Sequence, residues 1–234
     1  MSEGNQKRDS KVKISASLLS ADFARLEEVI GSISQKVDFI HCDVMDGHFV
    51  PNLTFGPLLV KTIKRISPVP LDVHLMITEP SKWIEKYLQC GLTQGDYLIF
   101  HIEAERHPWE ALKAIRRSGV GVGLSLKPAT PLDEVISWKS DIDMLLIMSV
   151  EPGFGGQDFL YEVVPKIYQA QKSFPASVIM AVDGGVNKET APLVREAGAN
   201  LLVVGNAIFS QPDPLLAVDD IRNAAELVKC PKNL

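Results

Sequence analysis

The sequence predicts an α/β fold, a single (β/α)8 TIM barrel, on three observations: short apolar runs recur along the chain, each is followed by an amphipathic or proline-initiated stretch, and the runs end at glycine-rich turns. Eight such strand and helix units fit into 234 residues. Each strand is apolar enough to be covered on both faces, as parallel strands are. A doubly wound sheet uses the same alternation, and the count of eight selects the closed barrel. No Gly/Ser-rich linker or shift in composition divides the chain. Residues 11–234 therefore read as one barrel domain, preceded by a loose polar tail over residues 1–10.

Val12-Lys13-Ile14-Ser15-Ala16-Ser17 is the first strand, and Ser20-Ala21-Asp22 opens a helix with Phe23, Leu26, Val29 and Ile30 as its buried stripe. Val37-Asp38-Phe39-Ile40 continues into His41-Cys42-Asp43-Val44-Met45 as the second strand, which ends at Gly47. A loop containing Phe49-Val50-Pro51-Asn52 leads to a helix over 57–66. Leu71-Asp72-Val73-His74-Leu75-Met76 is the third strand, and Pro80 starts a helix through Trp83, Ile84, Tyr87 and Leu88 that stops at Gly91. The fourth strand runs from Tyr97 to Ile102, with a helix from Pro108 to near Gly119, and the fifth is Gly121-Val122-Gly123-Leu124-Ser125-Leu126, with a helix from near Pro131. The sixth strand runs from Met144 to Val150, followed by a three-glycine loop and a helix from Phe159 to Ser173. The seventh ends at Asp183, with a helix from Lys188 to Ala197; Leu201-Leu202-Val203-Val204 is the eighth, and a last helix spans 215–228.

Composition narrows the function. The 46% hydrophobic content supports a sizeable core, and the net charge of -5 gives no general attraction to nucleic acid or to an anionic membrane surface. No run approaches the roughly 20 apolar residues that span a bilayer, and the first ten residues lack the apolar segment of a secretory signal. Cys42, Cys90 and Cys230 are too few and too widely spaced for a disulfide framework or a thiolate metal site, so reduced thiols and a cytoplasmic location are expected.

Side chains alternate along a strand, so His41, Asp43 and Met45 share one face, as do Asp72, His74 and Met76. In a parallel barrel the C-terminal strand ends meet at one rim. His41, Asp43, His74 and Asp183 should therefore converge, and two imidazoles with two carboxylates make a one-metal site. Carboxylates on opposite sides of a bound sugar can take a proton from one face of a carbon and return it on the other. Gly153-Phe154-Gly155-Gly156, Gly184-Gly185 and Gly205-Asn206-Ala207 follow consecutive strands and contain no Arg or Lys. A phosphate held there is held by backbone amides and helix N-termini. Met45, Met76 and Met148 point inward as a polarizable floor, or as core filling, and Ser17 is placed to donate to a substrate hydroxyl or to cap a helix. His101 lacks a paired carboxylate motif and reads as a hydrogen-bonded interior residue; His48 and His107 read as loop residues.

The stretches Ser17-Leu18-Leu19-Ser20-Ala21-Asp22-Phe23, His41 to Gly47, Val73-His74-Leu75-Met76, Glu151-Pro152-Gly153-Phe154-Gly155-Gly156-Gln157 and Val182-Asp183-Gly184-Gly185 together closely resemble the ribulose-phosphate 3-epimerases. The resemblance extends from Ile14 to the last helix. It implies a cytoplasmic, homo-oligomeric isomerase of the pentose phosphate pathway that interconverts D-ribulose 5-phosphate and D-xylulose 5-phosphate. It implies one divalent ion, zinc first, with iron(II), manganese or cobalt as alternatives, held by His41, Asp43, His74 and Asp183. Asp43 and Asp183 would be the acid/base pair, and Ser17, His74, Gly153, Phe154, Gly155, Gly156, Asp183, Gly184, Gly185, Gly205 and Asn206 would bind the phosphorylated ketose. Asn206 stands where the family often has serine, and Ala16 where proline often precedes the serine. Three other readings compete. An epimerase of the same family could act on a six-carbon ketose phosphate such as allulose 6-phosphate, and a non-catalytic sugar-phosphate binder would not need paired aspartates. A decarboxylase of the orotidine-phosphate type needs an Asp-x-Lys-x-x-Asp array, whose lysine Asp72-Val73-His74 lacks.

Overall fold

The computed structural model describes residues 11–228; the expected tail over 1–10 and Cys230 lie outside the described residues. Eight parallel strands close in chain order: β1 (Lys13–Ser17), β2 (Phe39–Met45), β3 (Leu71–Met76), β4 (Tyr97–His101), β5 (Gly121–Leu126), β6 (Met144–Met148), β7 (Ile179–Asp183) and β8 (Leu201–Val204). β8 is hydrogen-bonded back to β1. The α-helices are α1 (Leu26–Ile33), α2 (Pro57–Ile66), α3 (Ile84–Leu88), α4 (Pro108–Ser118), α5 (Asp133–Ile136), α6 (Val164–Ser173), α7 (Ala191–Ala197), α8 (Asn206–Phe209) and α9 (Pro214–Glu226). The (β/α)8 barrel expected from the sequence is the fold observed.

Three local expectations are corrected. Asp22 caps a 3₁₀ turn over Phe23–Arg25, and the α-helix begins only at Leu26. That change of helical period takes Phe23 out of the buried stripe. It stands 47% exposed, with its ring against Phe55 at 5.3 Å. The helix expected from Pro80 is a 3₁₀ turn (Pro80–Lys82) followed by the short α3. The residues after Gly205, read as loop, form α8, a single turn too short to carry a periodic signal.

Two packed regions follow from strand alternation. Outward-facing strand residues such as Ile40, Cys42, Val73, Leu75, Leu98 and Leu124 pack under the helices in one continuous core. Inward-facing Phe39, Ile99, Met144, Leu146, Ala181 and Leu201 fill the lumen as a separate cluster. Adjacent strands trade volume there. Gly121 and Gly123 on β5 are in register with Tyr97 and Ile99 on β4, and a Cβ at either glycine would lie 2.5 Å from its partner's side chain.

The bottom of the barrel carries one device four times. The residue just before each even-numbered strand accepts a backbone N–H from the preceding odd-numbered strand: Asp38 from Ile14 at 2.9 Å, and Asp96 from Leu71, Asp143 from Val122 and Asn200 from Met180 at 2.8 Å each. The three carboxylates are each paired with a cation, Arg222, Lys64 and Arg116 respectively. Arg222, on α9, also donates to the Val12 and Lys36 carbonyls and so ties the last helix to the first two strands.

The glycine requirement on β5 is testable. Gly123→Ala should destabilise the protein by about 1–3 kcal/mol through overpacking against Ile99, seen as a lower urea midpoint at unchanged m-value. An unshifted midpoint would show that the lumen can absorb the methyl group.

Candidate active site

The lumen is chemically divided. β1 to β5 direct Ser15, Ser17, His41, Asp43, Asp72, His74, His101 and Ser125 inward, all buried, whereas β6 to β8 contribute apolar Met144, Leu146, Met148, Ala181, Leu201 and Val203. Asp183, at the end of β7, faces the polar half. Register places Asp43 beside His74 on neighbouring strands and Ser17 beside His41.

His41, Asp43, His74 and Asp183 come together as expected, each offering one ligand atom, and these atoms all lie within 4.8 Å of one another. His41 Nε2 is 3.2 Å from Asp43 Oδ1 and 3.8 Å from Asp183 Oδ2, and His74 Nδ1 is 3.7 Å and 3.8 Å from the same two oxygens. None of these approaches has hydrogen-bond geometry; both ring nitrogens are buried without a hydrogen-bond partner. Two orphaned imidazole nitrogens facing two carboxylates are what a metal centre requires. Bonds of about 2.0–2.1 Å to a divalent ion put its ligand atoms roughly 3.0–3.4 Å apart, and the four imidazole–carboxylate approaches of 3.2–3.8 Å lie close to that spacing. The four residues fit the ion.

Behind the cluster lies a set of partners that the sequence reading left without roles. His41 Nδ1 is 2.7 Å from Asp72 Oδ2, whose other oxygen accepts the Ser15 hydroxyl at 2.6 Å. His74 Nε2 is 3.0 Å from His101 Nε2, and His101 Nδ1 is 3.1 Å from Glu103 Oε2. His101 is the hydrogen-bonded interior residue expected, and it has a carboxylate partner that no strand motif showed. Its partner lies two residues on, in a 3₁₀ turn over Ile102–Ala104, beyond the strand where alternation could have flagged it. For Asp72 the signal was available, since it shares the parity of His74.

The two candidate acid/base groups are driven apart. Burial disfavours the Asp43 carboxylate, but the adjacent His41 and His74 rings outweigh it and hold Asp43 below the usual carboxylate range. Ser17 adds a hydroxyl at 2.7 Å. Burial and the charge of Asp43 both push Asp183 up, to about 7. Burial opposes a charge on His41, yet Asp72 and Asp43 raise it well above the ordinary imidazole value, while burial and the neighbouring rings take His74 down to about 3.

Above the cluster opens a cavity of about 270 Å³, below the range of about 300–1,000 Å³ typical of drug-sized ligands. Ser17, Asp43, Asp183, Gly153, Phe154, Gly155, Gly156, Gly184, Gly185, Gly205 and Asn206 all line it, with Met45, Met76 and Met148 beneath. His74, also expected to touch substrate, is fully buried within the four-residue cluster and is not among the residues that line the cavity. Among the described residues no Lys or Arg lines the cavity, and α8 starts at its edge. Some glycines answer to the protein itself. At Gly184 (φ 115°) and Gly185 (φ 62°) a Cβ would lie 2.4 Å from Val150 and 2.6 Å from the Phe159 backbone. Ser149 pins the same loop by donating to the Asp183 and Gly184 carbonyls.

Fold and site together define a (β/α)8-barrel protein with a candidate metal centre at its C-terminal rim. The solved barrels similar to it include KGPDC from Streptococcus mutans (TM-score 0.71, 14% identity, 93% of this chain and 99% of that one) and 3-hexulose-6-phosphate synthase from Salmonella typhimurium (0.71, 17%, 92% and 98%). At that identity the likeness concerns the fold alone. Sequence is more specific: the family described as the Ribulose-phosphate 3 epimerase family matches residues 13–209, and the chain belongs to it. The chain is 45% identical over 218 residues to the ribulose-phosphate 3-epimerase of Bacillus subtilis, covering 91% of this chain and 99% of that protein. It is 38% identical over 219 residues to the cytoplasmic isoform from Oryza sativa, covering 92% and 94%. By family it is an enzyme of the isomerase class.

Metal uptake should be linked to protons. His41, raised, must give up a proton before it can ligate, whereas Asp183, at about 7, could ligate through one oxygen and keep its proton on the other. Zinc affinity measured in chelator-buffered titrations should therefore fall as pH is lowered, by at least about tenfold per unit well below pH 7. Calorimetry in buffers of different ionisation enthalpy should show proton release. A pH-independent affinity between 6 and 8 would exclude this ligand set.

Proposed function

We propose that this enzyme interconverts D-ribulose 5-phosphate and D-xylulose 5-phosphate by moving a proton on and off C3. The observation that carries the reading is the pair Asp43 and Asp183: two carboxylates in one buried cluster, from strands on different sides of the lumen, with opposite tendencies to hold a proton. One ionised and one protonated acid at a single cavity is what inversion at carbon needs. A divalent ion on His41, Asp43, His74 and Asp183, zinc first, would supply positive charge to oxygens that become negative when the C3 proton leaves.

The protein's own groups do the remainder. Asp43, ionised and fixed by Ser17, takes the C3 proton, leaving an enediolate; Asp183 returns a proton to the opposite face, and the roles exchange in the reverse direction. The enediolate does not survive free in water, so its seclusion in a small cavity over a methionine floor is part of the chemistry. The glycine-lined loops after β6, β7 and β8 are the seat for the phosphate, by backbone amides. This placement follows the usual phosphate position in such barrels. The same reading includes homo-oligomeric assembly, a cytoplasmic location and a step in the pentose phosphate pathway.

Asp43→Asn and Asp183→Asn should each lower kcat by about 10²–10⁴-fold in both directions in a coupled assay with added metal. Turnover in deuterated water should place solvent hydrogen at C3. Epimerisation without exchange at C3, or a near-parental rate in either variant, would falsify the two-aspartate route. Faster turnover of D-allulose 6-phosphate than of D-ribulose 5-phosphate would move the substrate assignment to the six-carbon ketose.

A further inference from the structure

The two histidines of the cluster are supported differently. His41 Nδ1 meets a carboxylate directly, at Asp72, whereas His74 Nε2 meets another imidazole, His101, at 3.0 Å. Two ring nitrogens at that distance share one proton: with two they repel, and with none two lone pairs face each other in a buried site. Which ring supplies the proton is decided further out.

Glu103 decides it. Its Oε1 accepts the Lys127 backbone N–H at 2.7 Å and the Thr130 hydroxyl at 2.5 Å, and its Oε2 lies 3.1 Å from His101 Nδ1. The segment that supplies those donors is itself fixed, because Lys166 Nζ donates to the carbonyls of Lys127, Pro128 and Thr130. An ionised carboxylate can only accept. His101 must then donate through Nδ1, and as a neutral ring it presents a bare Nε2 to His74. His74 donates into it from Nε2, which leaves the lone pair on Nδ1, the orphaned nitrogen facing Asp43 and Asp183. The opposite polarity would put a proton on Nδ1 and point it at the cluster.

We propose that Glu103, acting through His101, sets the tautomer of His74 and aims its Nδ1 lone pair at the metal position, making both residues positioning residues. The inference rests on reading the four-residue cluster as a metal site. It adds a second carboxylate–imidazole support, on β4 and the turn after it, to the one Asp72 provides for His41. Such outer partners contribute about 10–100-fold to metal affinity.

The test uses the full-length protein and zinc alone. Glu103→Gln is isosteric; its oxygen can keep accepting from Lys127 and Thr130, which turns its NH₂ toward His101 and reverses the proton order down to His74. Zinc affinity by chelator competition should drop about 10–100-fold. Nitrogen-15 spectra of the zinc-loaded parent should show the proton of His101 on Nδ1 and that of His74 on Nε2, an observation that needs no variant to fold. His101→Gln, which retains an acceptor at the end of its side chain, should bind zinc more tightly than His101→Leu. Unchanged affinity in Glu103→Gln, a His101 proton found on Nε2, or equal affinities in the two His101 variants would each overturn the proposal. A parent protein that takes up no zinc would instead fail the metal reading itself.

Discussion

Burying two carboxylates and two imidazoles in one small volume is the constraint on which the rest of this structure depends. Unpaired charge in a protein interior is expensive, and the expense falls only when every remaining lone pair and proton has a partner. The inner face of β1 to β5 is organised to meet that condition. Ser15 and Asp72 stand behind His41, Ser17 holds Asp43, and His101 with Glu103 stands behind His74. Two ring nitrogens are left over, both aimed at the same point. The apolar wall from β6 to β8 completes the lumen around them. Among the described residues, Ser125 Oγ is the other lumen atom left without a partner, but the two ring nitrogens alone face the carboxylates of a candidate cation site.

Much of this was legible in the chain itself, because barrels convert simple parity into position. Asp43 and His41 are two apart on one strand, His74 occupies the matching place on the next, and all strand ends meet at one rim. The motifs from Ser17 to Gly185 then carried the family. Asp72 was legible by the same parity and went unassigned, whereas other features depend on residues beyond a strand end. Glu103 reaches back from a turn, α8 is one turn long, and Phe23 leaves its stripe because a 3₁₀ turn shifts the phase. Periodicity is a statement about regular elements, and each of these lies where regularity stops.

The glycines show that one residue type can serve two masters. Gly184 and Gly185 open the cavity's edge to a ligand, yet their conformations and their neighbours Val150 and Phe159 would forbid any side chain even if nothing bound there. Loop-to-loop packing and ligand access therefore demand the same residue at the same place. Asn52, donating to the Gly153 carbonyl at 2.7 Å, extends the arrangement across the mouth from the second loop to the sixth.

The four acceptors beneath the barrel bear on how such a chain reaches its native state. Each fixes the alignment of two strands that are neighbours in sequence, so the pairing of β1 with β2, β3 with β4, β5 with β6 and β7 with β8 is settled by local contacts. Short sequence separation makes contacts quick to form. Ring closure then becomes the joining of four quarter-barrels that already hold their offset. Only the final seam, where Arg222 reaches the Val12 carbonyl just before β1, must bridge almost the full length of the polypeptide.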